Sequence, residues 1–158
     1  MSWKKQVEEA LPLLGHRNWI LIADMAYPLQ SRNGIETIYT DADHLEVAEF
    51  VMGEIKKAPH VYANTFLDNE INFVAEEDAP GIDALRSELL EIVGGADAQL
   101  IPHEDLIVKL DDAAKTFNVL VIKSTLAIPY TSAFLQLECG YWTPEAEAKM
   151  RAAIEAAG

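Results

Sequence analysis

Cysteine is nearly absent: Cys139 is the one thiol in 158 residues, so no internal disulfide can form. No Cys-x-x-Cys pair exists to hold zinc or to cycle between dithiol and disulfide. Basic residues are scarce as well. Twelve Lys and Arg stand against 26 Asp and Glu, a formal charge of -14 with a pI near 4.5. A surface of that sign repels polyphosphate, which argues against nucleic acid and anionic membranes as partners. No apolar run approaches the roughly 18 to 20 residues of a membrane span. The opening MSWKKQVEEALPLLG carries Glu8 and Glu9 where a secretory signal is uniformly apolar, so a cytoplasmic location is expected. Also missing are the GxGxxG and Walker phosphate loops, the GxSxG elbow and the HExxH helix. Nucleotide-dependent and zinc-dependent chemistry are therefore disfavoured, and the expectation is no cofactor and no metal.

Half of the residues are hydrophobic, with mean hydropathy +0.03, which suits one compact domain with a substantial core. Ser2 caps a first helix in which Trp3, Val7, Ala10, Leu11 and Leu14 fall at helical spacing; Pro12 shortens it, and Gly15 suits a left-handed stop. Residues 19–23 and 35–40 read as strands separated by the loop YPLQSRNG. In TDADHLEVAEFVMGEIKKAPH, Asp43 precedes Glu46 by three residues, a capping-box pattern, and the apolar stripe from Leu45 to Ile55 predicts a helix that Pro59 ends. Residues 61–67 and 71–75 read as strands around DNE. Ile82, Leu85, Leu89 and Ile92 line one helical face before Gly94 and Gly95. A further helix follows Pro102, placing His103 at its start. NVLVIKST reads as a strand buried on both faces, FLQLECGYW alternates more, and Thr143-Pro144-Glu145 opens an alanine-rich terminal helix. Strands and helices alternate without repeats or a long linker, which predicts a single-domain α/β layered fold, its central, largely parallel sheet flanked by helices.

Few residues stand out as chemistry. DADH at 41–44 looks like a metal run but coincides with the helix cap, and the cap is the better reading. His44 and His60 read as surface histidines. Ser132 has neither an elbow nor an adjacent base, so it reads as a hydrogen-bonding hydroxyl and not a nucleophile. His16 and Asp24 bracket the oily strand WILIA.

That bracket has company. LGH before a strand ending AD, PHEDL at 102–106, and IPY at 128–130 before the last apolar strand occur in the order and spacing that resembles the ribose pyranase and fucose mutarotase (RbsD/FucU-like) family. The likeness spans most of residues 11–142 and leaves 143–158 as a C-terminal helical extension of a single RbsD-like domain covering 1–158. The resemblance implies a cofactor-free enzyme that interconverts cyclic forms of an unphosphorylated monosaccharide, working as a ring-shaped homo-oligomer, pentamer or decamer. It assigns proton donation to His16 and substrate binding to Asp24, His103, Tyr130, Thr131 and Ser132. The sequence departs from the family at Asn18, where aspartate is common, in DMAYP for DAGxP, and in STLAIPYTS for a TGExxPYAN-like stretch. The last change removes a glutamate and an asparagine amide, which keeps open an alternative: a non-catalytic sugar-binding protein with the family fold.

The residues suit the chemistry on their own terms. Opening a cyclic hemiacetal needs a proton taken from the anomeric hydroxyl and one given to the ring oxygen, and histidine does both near neutrality. Geometry sets a condition. Eight residues of extended chain at about 3.3 Å each separate His16 from Asp24 by up to roughly 26 Å, so either the chain turns sharply at both ends or the two meet across a subunit interface.

Overall fold

Six strands form one sheet in the computed structural model, which describes residues 1–158. In chain order they are β1 (Trp19–Ala23), β2 (Ile35–Tyr39), β3 (Val61–Asp68), β4 (Gln99–Ile101), β5 (Val119–Lys123) and β6 (Ala133–Cys139). Across the sheet the order is β2-β5-β1-β6-β3-β4. The β1–β5, β2–β5 and β3–β4 pairs are parallel, whereas β6 is antiparallel to both β1 and β3. Five strands therefore run one way and β6 runs against them, so the carboxyl ends of β1 to β5 share an edge with the amino end of β6.

The helices are α1 (Trp3–Ala10), α2 (His44–Lys57), α3 (Ile82–Val93), α4 (His103–Ala113) and α5 (Pro144–Ala157). Alternate residues of the central strands feed two cores, as the period of two requires. Ile20, Ile22, Leu120, Ile122 and Leu135 pack with Val7 of α1, Val47, Val51 and Ile55 of α2, and Leu85 and Leu89 of α3. Trp19, Leu21, Val119, Val121 and Phe134 pack with Leu106 and Leu110 of α4. The sheet is thus the middle of three layers, and β1 is buried at all five positions because it has helices on both faces. The expected α/β layered domain with a largely parallel sheet is the architecture observed. No helix is long and apolar enough to cross a membrane.

The helix starts follow their caps. Ser2 accepts from the Lys5 N–H at 3.2 Å, Asp43 from Leu45 at 3.2 Å and Thr143 from Ala146 at 3.0 Å. Four expectations need correction. Gly15 is not a left-handed stop: Pro12 ends α1 in a single 3-10 turn, Leu11–Leu13, and Arg17 takes the positive φ of 79° while Asn18 Oδ1 accepts the Gly15 N–H at 2.7 Å. Residues 71–75 are not a strand, because Asn69–Phe73 coils into a 3-10 helix and Arg86 of α3 takes the Ile71 and Val74 carbonyls, both at 2.8 Å. The short β4 pairs with β3 instead. His44 is not a surface residue: as the first residue of α2 its side chain leans back over the strand ends, where it is fully buried. His60 is partly buried too, its Nε2 within 3.1 Å of the Leu11 and Leu14 carbonyls. The terminal helix α5 forms as expected but buries none of its 14 residues.

Candidate active site

A cleft of about 490 Å³ opens at the edge where the carboxyl ends of the parallel strands meet the amino end of β6. Crevices at such ends are where α/β sheets usually take ligands, since the chain leaves the strands there in loops and helix starts. Asp24 follows β1, Asp68 closes β3, His103 opens α4 and Ser132 immediately precedes β6; Tyr27, Gln30, Glu104 and Tyr130 complete the polar lining. A larger hollow beside α2 and β3, about 610 Å³, is lined mainly by apolar groups such as Met52, Ile55, Val61 and Ile92 and lacks this convergence of acids and imidazole.

The centre of the cleft is a carboxylate–imidazole pair. His103 Nδ1 lies 2.8 Å from Asp68 Oδ1, and Asp68 is only 1% exposed. Glu70 accepts the His103 backbone N–H at 3.0 and 3.2 Å, capping α4 in place of Pro102, whose side chain caps nothing. The second Asp68 oxygen, Oδ2, is buried without a hydrogen-bond partner. Burial pushes the Asp68 carboxyl up to about 6; the hydrogen bond and charge of His103 oppose the rise, and the charges of Glu70 and Asp24 add to it. Asp24 is also raised, by burial first, with its own backbone N–H, Lys123 and His103 opposing. Tyr27 is pushed up to about 12 by burial and by the charges of Asp111 and Asp68, so it stays a neutral phenol, donating to Gln30 Oε1 at 3.0 Å.

Ionised Asp68 accepts and cannot donate, which holds a proton on His103 Nδ1, while no protein group takes Nε2. The His103 ring is held edge-on by Tyr130, with centroids 5.7 Å apart at 85°, and by Phe134 at 6.4 Å and 67°. Such a group, fixed in tautomer and orientation, is equipped to take a proton from a hydroxyl.

Asp24, His103, Tyr130 and Ser132 therefore come together as the sequence suggested. Two other candidates do not join them. Thr131 is fully buried and faces away from the cleft: its hydroxyl donates to the Ile128 carbonyl at 2.8 Å and its own carbonyl meets His44 Nε2 at 2.7 Å. His16 sits beyond the amino end of β1, at the opposite edge of the sheet, with Nδ1 2.6 Å from Glu138 Oε2 and its side chain half exposed. It faces a separate hollow with Tyr141, Trp142 and Glu147, so one chain does not bring His16 to Asp24. Gln30 and Glu104 of the lining, Glu70 at the start of α4 and above all Asp68 were not singled out by sequence reasoning. The available signal was an apolar run ending in aspartate, TFLD, the same pattern as WILIAD. No group of three His, Cys, Asp or Glu side chains is arranged to hold a metal ion.

The site and its scaffold define a three-layer α/β domain with a carboxylate–imidazole cleft at the strand ends. No family model matches the sequence, and no curated protein does. Solved structures do match in fold. Bacillus subtilis RbsD in complex with D-ribose aligns at 18% identity and TM-score 0.58 over 84% of this chain and 91% of its own. FucU from Bifidobacterium longum aligns at 17% and 0.58 over 85% and 94%. The fucose mutarotase of Streptococcus pneumoniae in complex with L-fucose aligns at 18% and 0.54 over 82% and 89%. The protein has the RbsD/FucU-like fold.

Proposed function

We propose that this protein belongs to the ribose pyranase and fucose mutarotase family and is a cytoplasmic, cofactor-independent isomerase of cyclic monosaccharides. The observation that carries the reading is the Asp68–His103 pair inside the cleft, in a fold shared with structures bound to D-ribose and L-fucose. His103 Nε2 accepts the anomeric hydroxyl proton as the C1=O bond forms and the ring C–O bond breaks. An acid protonates the departing ring oxygen, and reversing the transfers after rotation about the freed bond closes the other anomer or ring size. Asp24, Tyr130 and Ser132 bind the remaining hydroxyls, and the neutral phenol of Tyr27 adds a donor.

His16 is the proton donor in this reading, and it acts from a neighbouring copy of the chain. Its separation from Asp24 by the whole length of β1 favours a site built from two subunits of a ring, pentamer or decamer, in which the His16–Glu138 pair of one copy closes the cleft of the next. A second reading, a sugar-binding protein without turnover, draws on one observation: Ser132 is 4% exposed and offers one short hydroxyl where the family carries an amide.

The test is exchange NMR on ribose, fucose, galactose and rhamnose with wild type, His103→Ala, Asp68→Asn and His16→Ala. Acceleration by wild type, cut about 100-fold or more by His103→Ala, supports the isomerase. Binding without acceleration favours the second reading, and neither binding nor acceleration rejects both. Co-expressing His16→Ala with His103→Ala chains tests the shared site: mixed rings recover activity that neither parent has. Two inactive variants that form mixed oligomers and stay inactive exclude it.

A further inference from the structure

His44 is 0% exposed between the ends of β1 and β5 and the segment that leads into β6. Its Nε2 lies 2.7 Å from the Thr131 carbonyl oxygen and its Nδ1 2.7 Å from Ser124 Oγ. A carbonyl only accepts, so Nε2 carries a proton. Burial holds the imidazole below its ordinary value, against the opposing pull of the Thr131 bond and the Asp43 charge, so the ring is neutral and Nδ1 accepts from Ser124. The other acceptor within reach of that hydroxyl, the Ala23 carbonyl, is farther away at 3.1 Å and already receives the Ser124 backbone N–H at 2.8 Å.

The far end of this relay is the segment Pro129–Ser132. Tyr130 within it holds φ at +59°, a region that residues other than glycine keep only when their surroundings impose it. The Thr131 hydroxyl turns back to Ile128, so the hydrogen bond that ties the segment to another element is the one from His44. Pro129, Tyr130 and Ser132 line the cleft, and Ala23 at the near end adjoins Asp24.

We propose that His44 is the positioning residue of the cleft: through Thr131 and Ser124 it clamps the Pro129–Ser132 segment to the ends of β1 and β5, and so sets where Tyr130 and Ser132 stand relative to Asp24 and His103. His44 itself touches no ligand. Its consequence for sugar binding rests on the function proposed above, whereas the clamp on the segment does not.

Two substitutions and one wild-type measurement test it. His44→Gln retains a donor for Thr131 and an acceptor for Ser124; His44→Leu retains neither. With β1 amides as the reference for global opening, the Tyr130, Thr131 and Ser132 amides exchange about tenfold faster or more in His44→Leu and stay within about threefold of wild type in His44→Gln. Affinity for whichever of D-ribose and L-fucose wild type binds falls about tenfold in His44→Leu and returns in His44→Gln. In wild type, imidazole ¹⁵N spectra give the Nε2–H tautomer with a slowly exchanging proton. Equal amide protection in wild type and His44→Leu overturns the clamp, and so does an Nδ1–H tautomer in wild type, a result that needs no variant to fold. Faster exchange in His44→Leu with undiminished sugar affinity overturns the positioning role. If wild type binds no sugar, the proposed function fails, while amide exchange and tautomer still decide the clamp.

Discussion

Replacing Asp68 by asparagine removes a charge that the fold accommodates badly, and the gain depends on pH in a calculable way. The carboxyl rises from an ordinary 3.8 to about 6 because it is buried and Oδ2 has no donor. An acid whose native pKa is raised binds more protons folded than unfolded between those two values. Its contribution is therefore fully present below pH 3.8 and is lost as pH climbs through 6. Ionising Asp68 costs the native state about 3 kcal/mol at 1.36 kcal/mol per pH unit. The asparagine amide is nearly isosteric with the protonated acid and never ionises, so the two proteins should have similar stability at pH 3.5, and Asp68→Asn should be more stable by about 3 kcal/mol at pH 7.5. For a chain of this size that is a Tm difference of about 6 to 12 °C. Urea unfolding from pH 3.5 to 8, at fixed protomer concentration, measures it, and taking the variant-minus-wild-type difference cancels carboxylates common to both. A difference that stays constant within about 0.5 kcal/mol across that range refutes the argument from burial. In the isomerase reading the substitution also costs activity, separating the site's stability from its function.

Three further outcomes are expected. Phe134→Ala, at a fully buried position packed with Trp19, Leu106 and Val121, should cost about 3 to 5 kcal/mol in urea unfolding, and a loss below about 1 kcal/mol contradicts the α4-side core described. Tyr27 should not ionise below pH 11, so alkaline titration at 295 nm should give the same amplitude for wild type and Tyr27→Phe up to that pH; loss of one tyrosine's share in the variant contradicts its burial. Deleting residues 144–158 should change the stability of the domain by less than about 1 kcal/mol, since α5 buries nothing; a larger loss by calorimetry means that α5 is part of the core unit and not an extension.

Much of the fold was legible because its signals are local. WILIA and VLVI announce strands sandwiched between helix layers, and Asp43 announces a helix start through its own side chain. Asp24 and His103 were singled out through the family resemblance, and both line the cleft. The misses are positions where a distant partner decides. Residues 71–75 look like a strand until Arg86, from α3, takes their carbonyls. His44 looks like the exposed companion of a cap until Ser124 and Thr131, 80 and 87 residues away, close around it. Asp68 carries the same strand-end pattern as Asp24, but its importance lies in His103, 35 residues on. Extended-chain geometry left two possibilities for His16 and Asp24, sharp turns at both ends or a meeting between subunits, and the five-residue strand between them keeps the two apart within one chain.

The reversed direction of β6 constrains how this chain can diverge. Ser132 at one end of that strand faces the cleft, and Glu138 near the other grips His16, so one seven-residue element fixes the spacing between the cleft and the His16–Glu138 pair. Inserting or deleting a single residue within it exchanges the side chains of its two faces, driving Phe134 toward the wrong core and displacing Ser132 relative to Glu138 in the same event. Length variation among descendants should therefore accumulate in the connections, such as Pro28–Gly34 or Glu76–Gly81, while the interval from Ser132 to Glu138 stays fixed even where its residues change.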